Sequence, residues 1–201
     1  MWEIIEAAGW PVWLLIVTSV YGLAIILERA WSLRSSSIAP KNLSKEVFAM
    51  IQQGTIKKQS LDEISLSSPL GEILATAIRN QGSSLEVLKD AIDETGENVA
   101  FKLEKNINSL GTISTVAPLL GLFGTIVGMV ELFSSFTSSG HDVAVFARGI
   151  SVALYNTAGG IVVAVPAMIA YRYYRSKVDH LLNDMEQQAL KLVEILRGER
   201  K

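Results

Sequence analysis

Three long stretches of this chain carry no charged side chain: Ala7 to Leu27, Asn106 to Val130 and Gly149 to Tyr171. A helix needs roughly 20 apolar residues to cross the hydrocarbon core of a bilayer, and each stretch supplies that length. In lipid every backbone polar group has to be satisfied internally, so such segments span as helices. The pattern therefore predicts an all-α integral membrane protein with three transmembrane helices and long helices extending into the cytoplasm. The expected divisions are 1–30 (outer N-terminus and first span), 31–105 (cytoplasmic helical region), 106–133 (second span), 134–146 (outer hairpin), 147–172 (third span) and 173–201 (cytoplasmic C-terminal helix).

Composition narrows the chemistry. With 201 residues and three spans, no room is left for a separate large enzyme domain. Cysteine is absent, and the only two histidines, His141 and His180, lie far apart in sequence. No metal site, cofactor, disulfide framework or nucleic-acid partner is expected. The leading MWEIIE is acidic, and the apolar run after it is longer than a signal-peptide core. A retained first span is the reading.

Of the 18 Lys and Arg residues, ten fall between Glu28 and Lys105, seven from Arg172 onward, and one, Arg148, elsewhere. By the positive-inside rule the central region and the tail are cytoplasmic. The N-terminus and the 134–146 hairpin then lie outside. Trp2, Trp10 and Trp13 at one end of the first span, and Trp31 at the other, suit the two aromatic belts of a membrane.

The cytoplasmic region reads as helical throughout. Asn42 or Ser44 is expected to cap a short helix that ends at Gly54. Ser68 before Pro69 predicts a capped helix with proline in its first turn, stopping at Gly82. Ser83 and Glu86 have capping-box spacing. Beyond them Leu88, Ile92, Val99 and Leu103 recur at helical intervals, interrupted only by Gly96. One continuous helix from there into the second span, ending near Phe133, is expected. In the tail, Val178, Leu182, Met185, Ala189, Leu192 and Leu196 follow an a/d heptad. Mixed charges on the other faces favour helix–helix packing over a helix lying on the membrane surface.

The second span contains P-L-L-G-L-F-G-T-I-V-G from Pro118 to Gly128, and the third G-I-S-V-A-L-Y-N-T-A-G-G-I-V-V-A-V-P-A from Gly149 to Ala167. Small residues let helices pack closely where no hydrophobic drive exists between them. Gly121, Gly124, Gly128 and Gly160 are thus packing candidates, and Pro118 and Pro166 loosen the backbone locally. Ser151, Asn156, Thr157 and Thr125 are polar side chains at membrane depth, which either hydrogen-bond a neighbouring helix or line a wet path. Ser151, Thr157 and Ala164 are expected to share a face with Thr125 across a helix pair. Arg148 at the outer mouth of the third span is read first as an interfacial anchor, the alternative being an electrostatic gate or partner contact. His141, Asp142 and Glu131 read as solvated outer charges.

These two motifs, with the three-span plan, resemble the MotA/TolQ/ExbB proton-channel family, and within it the ExbB branch. The resemblance implies a homo-oligomeric ring, a pentamer, in the bacterial inner membrane, pore-lined by the second and third spans. It further implies an ExbD-like single-span protein inside the pore and a TonB-like protein beyond it. Such a complex turns proton motive force into work on the outer membrane, with membrane lipids around the ring. On the family pattern Thr125 and Thr157 line the pore. This chain departs from that pattern at Val152, where many members carry a glutamate, leaving Tyr155 and Asn156 as nearby polar groups. A TolQ-like role and a passive membrane scaffold are the alternatives. A secondary transporter lacks the repeats it would need, and an enzyme lacks a nucleophile–base pair.

Overall fold

A computed structural model describes residues 8–40, 42–53, 58–139 and 143–197. Eight helices are defined among them: α1 (Val12–Ser32), α2 (Ser35–Ile38), α3 (Leu43–Gln52), α4 (Lys58–Ser67), α5 (Pro69–Arg79), α6 (Leu85–Glu104), α7 (Ile107–Ser139) and α8 (Val143–Leu196). No strand occurs among the described residues. Three helices are long and apolar enough to cross a membrane: α1, α7 within Ile107–Ser134, and α8 within Ala147–Ile195, where the uncharged stretch that can span ends at Tyr171.

The chain divides into two compact units. The first gathers Met1–Arg29 with Asn106–Tyr173, and the second gathers Ala30–Lys105 with Tyr174–Lys201. Helix α8 contributes residues to both.

The second unit is a helical bundle with a conventional core. Helix α5 is buried nearly all round, through Leu70, Ile73, Leu74, Ala77 and Ile78. Against it lie Leu88, Ile92 and Val99 of α6, and the core also includes Val178, Met185, Ala189 and Leu192 of α8. The tail stripe is therefore buried in helix–helix packing, although Leu182 is only half-buried and the side chain of Leu196 lies outside the described residues. The Ser68 hydroxyl accepts from the amide of Gly71 at 3.1 Å, which makes it the N-cap of α5. Polar ties join the helices: Lys102 to Glu72 at 2.8 Å, Ser44 to Gln188 at 2.6 Å, Arg79 to Asp62, and Arg197 to the Ser83 carbonyl at 2.6 Å.

Several boundaries differ from the sequence reading. Ser84, not Ser83, caps α6, accepting from the Val87 amide at 3.3 Å. Asn42 precedes α3 in helical conformation and makes no side-chain cap, and Gly54 lies outside the described residues. Helix α5 stops at Arg79, ahead of Gly82. The expected single helix through residue 105 is broken: Lys105 is extended (φ −48°, ψ 134°) and Asn106 has φ 66°. Asparagine is one of the few side chains that tolerates this left-handed conformation, because its short amide can bond locally. The break coincides with the boundary between the two units. Within the range 134–146 expected as an outer hairpin, α7 runs to Ser139 and α8 starts at Val143, and residues 140–142 lie outside the described residues.

Candidate functional site

The first unit is built on an antiparallel seam between α7 and α8. Backbone lies on backbone here. A Cβ added to Gly121 would stand 2.7 Å from the Asn156 carbonyl oxygen and 3.3 Å from the Cα of Gly160. One added to Gly160 would stand 2.7 Å from the Ala117 carbonyl oxygen. Towards the other end, a Cβ on Gly128 would stand 3.0 Å from Val152 and 3.1 Å from the Gly149 carbonyl oxygen, a tight fit, and one on Gly149 would stand 2.6 Å from the Leu132 side chain, which would have to shift. Gly121, Gly124, Gly128 and Gly160 all lie in this seam. Gly149 belongs to it too, although its role was missed in the sequence despite its place in the quoted motif.

Pro118 and Pro166 both fall inside helices, α7 and α8 respectively. Each removes one amide from the ladder and leaves the carbonyl four residues earlier without its helical donor. A cleft of about 170 Å³ runs between α1, α7 and α8, lined in part by Gly22, Ile113, Val163 and Pro166.

Asn156 sits in the centre of the seam with no exposed surface. Its amide nitrogen donates to the Ala8 carbonyl at 2.7 Å and to the Val152 carbonyl at 2.9 Å. Two carbonyl acceptors fix which end of the carboxamide carries the hydrogens, and the oxygen is left without a partner. Asn156 therefore differs from the expectation of a pore-lining residue: it is an internal clamp on the chain just before α1. Val152 is also buried, against Gly128, so this position faces the seam.

Thr125 and Thr157 occupy a different surface. At about 100° per residue, Thr125 lies about 40° round α7 from Gly121, and Thr157 about 100° round α8 from Asn156. Because the helices are antiparallel, both rotations point to the same side of the seam. Helix α1 takes the opposite side, where Ile113 meets Gly22 and Leu15 meets Gly159. The two threonines thus share the face of the α7–α8 pair that this chain leaves uncovered. Thr157 is exposed and Thr125 partly so, among exposed Leu122, Ile126, Leu154 and Ile161. Both hydroxyls donate to their own helices, Thr125 to the Leu122 carbonyl at 2.6 Å and Thr157 to the Ala153 carbonyl at 3.2 Å.

Ser151 does not join them. Six residues before Thr157, it lies about 120° away round α8, and its hydroxyl donates to the Ala147 carbonyl at 2.9 Å. Ala164, expected on the same face, is buried. Arg148 is exposed in the second turn of α8, and so is Glu131 on α7, while His141 and Asp142 lie outside the described residues. The described residues hold no cluster of three or more His, Cys, Asp or Glu able to bind a metal.

Three apolar spans and a glycine seam beside a hydroxyl-bearing face define a helical membrane protein built on close α7–α8 packing. Residues 65–187 match the model of the MotA/TolQ/ExbB proton channel family, and the chain belongs to that family. It is 31% identical over 163 residues to the biopolymer transport protein ExbB-like 3 of Synechocystis, covering 79% of this chain and 77% of that one. The ExbB-like 1 protein of the same organism is 26% identical over 162 residues, covering 79% and 64%. An ExbB homolog of Methanothermobacter thermautotrophicus is 25% identical over 185 residues, covering 92% and 66%. The chain thus spans about two thirds of the length of these last two relatives.

Proposed function

We propose that the protein is the channel-forming stator subunit of an ExbB-type complex in the bacterial inner membrane, with its N-terminus outside and its tail in the cytoplasm. Copies of the chain assemble as a ring, a pentamer, with the α7–α8 faces turned inward and α1 towards lipid. An ExbD-like single-span helix occupies the centre, and a TonB-like protein carries the resulting motion to the outer membrane. The observation that carries this reading is the pairing of Thr125 and Thr157 on the one side of the glycine seam that α1 leaves open.

A unit charge crossing the membrane gains about 2.3 kcal/mol per 100 mV. Converting that gain into movement needs an acid that is neutral beside apolar wall and ionised where water and hydroxyls reach it. With Val152 and Asn156 inside the seam, this wall supplies no acid of its own, so the titrating carboxyl belongs to the partner helix. Threonines spaced among Leu and Ile offer a relay or solvating group without a fixed charge that would hold the moving helix in place.

Co-purification with ExbD-like candidates, followed by native mass spectrometry, tests the assembly. Proton uptake by liposomes containing the complex tests the channel. Replacement of both threonines by valine abolishes uptake and leaves the copy number intact. Unchanged uptake would leave a passive scaffold as the better account, since the glycine seam serves that role equally well.

A further inference from the structure

We infer that a groove between α3 and the end of α8 receives the outward acidic stripe of α6 from a second copy of this chain. The inference rests on the ring proposed above and identifies where neighbouring copies meet outside the membrane.

The groove has a volume of about 220 Å³ and is lined by Lys45, Phe48, Gln188, Lys191, Leu192 and Ile195. It is apolar at its base and basic at its rim. Leu192 is buried, whereas Lys45, Lys191 and Ile195 are exposed. The complementary surface lies on α6. Its inner face buries Leu88, Ile92, Gly96 and Val99. Directly opposite, at spacings of three and four, stand Val87, Asp90, Glu94, Glu97 and Phe101, all exposed. Phe101 is 83% exposed and Val87 51%, outside any apolar span. At the N-terminal end of this stripe Val87 and Asp90, an apolar side chain beside a carboxylate, match a groove with an apolar floor between two lysines. Within one copy the stripe cannot reach its own groove, because it points away from the core that holds α6 to its neighbours.

Register supports the pairing. A Cβ on Gly96 would stand 2.5 Å from the Glu186 carboxylate, and Arg197 bonds the Ser83 carbonyl at 2.6 Å. In this antiparallel alignment Asp90 stands level with Lys191, and Val87 level with Ile195. Copies related by rotation about an axis along these helices meet at equal heights, through a head-to-tail contact of two different patches. The stripe then brings Asp90 to Lys191 and Val87 to the Phe48–Ile195 floor.

The chain has no cysteine, so introduced pairs report without background. Val87→Cys and Ile195→Cys are placed together in the full chain, purified from membranes and oxidised, with the copy number read separately by native mass spectrometry. The double variant is expected to give a ladder of covalent oligomers, and each single variant to remain uncrosslinked. Lys191→Asp should lower the ladder yield by about two- to fivefold, the range a partly exposed ion pair supplies, and Asp90→Lys should restore it. An intact oligomer without a ladder overturns the inference and spares the ring. A dimer from Val87→Cys alone overturns it in favour of a two-fold contact, and a cross-link to another protein overturns it in favour of a different occupant. Absence of any oligomer overturns the ring itself, and the inference with it.

Discussion

The carboxamide of Asn156 rests on the Cα of Gly124, so closely that a Cβ on that glycine would stand 2.4 Å from both Cβ and Cγ of the asparagine. Asn156 meanwhile holds the Ala8 carbonyl at 2.7 Å. One residue pair therefore sets the spacing of α7 and α8 and fixes the chain entering α1.

Gly124→Ala should force the two helices apart and cost about 1–3 kcal/mol, the usual penalty for overpacking. Thermal unfolding in detergent measures it. In that background Asn156→Gly should recover much of the loss, whereas Asn156→Ala should not, because it keeps the clashing Cβ. Equal rescue by both would show that the carboxamide head, not the Cβ, sets the spacing.

Thr125→Val and Thr157→Val should behave oppositely to the seam variants. Each hydroxyl bonds only a carbonyl of its own helix, at 2.6 Å and 3.2 Å respectively, so unfolding should shift by about 0.5 kcal/mol or less. Proton flux into liposomes bearing the whole complex should fall about tenfold or more for each, equivalent to about 1.4 kcal/mol on the barrier.

Two glycines of the second unit should answer the same substitution differently. A Cβ on Gly71 would stand 2.0 Å from the backbone oxygen of Ile64, which cannot swing aside. Gly71→Ala should therefore cost roughly 3 kcal/mol or more. At Gly96 the close neighbour is the flexible end of Glu186. Gly96→Ala gains about 1 kcal/mol of helix propensity against that adjustment, and chemical denaturation should find it near neutral.

Burial, and secondarily the Asp93 carboxylate, raises the pKa of Glu186 above the usual carboxylate range. The folded state then holds this proton more tightly than the unfolded state does. Its contribution is fully present below the unfolded value and is lost as pH rises through the raised folded value. Glu186→Gln should flatten that part of the pH–stability curve and stabilise the protein at neutral pH. Denaturation midpoints measured from mildly acidic to neutral pH check both.

Much of this was legible because apolar length and small-residue spacing are one-dimensional signals. The three spans, the Ser68 cap and the seam glycines follow from residue type and interval alone. Face assignment required rotation to be counted through each helix. Ser151 and Thr157 both look polar and central, yet six residues place them on different sides. Asn156 reads as a wet-path residue by type, and only its contact with a carbonyl 148 positions earlier in sequence reveals the clamp. The interruption at Lys105–Asn106 carries no proline or glycine to announce it. Gly96 likewise reads as a mere weakness of α6 until Glu186 is seen lying over it.

The hydroxyls of Thr125 and Thr157 have already given their hydrogens to carbonyls three and four residues back. What they turn outward is lone-pair density. On the proposed reading, a protonated carboxyl can donate to those oxygens without disturbing the helix, whereas an ionised one is solvated by water and by a hydroxyl only after that hydroxyl turns from its own carbonyl. Two intrahelical bonds would thus set a different cost for each protonation state of an acid meeting this uncharged surface.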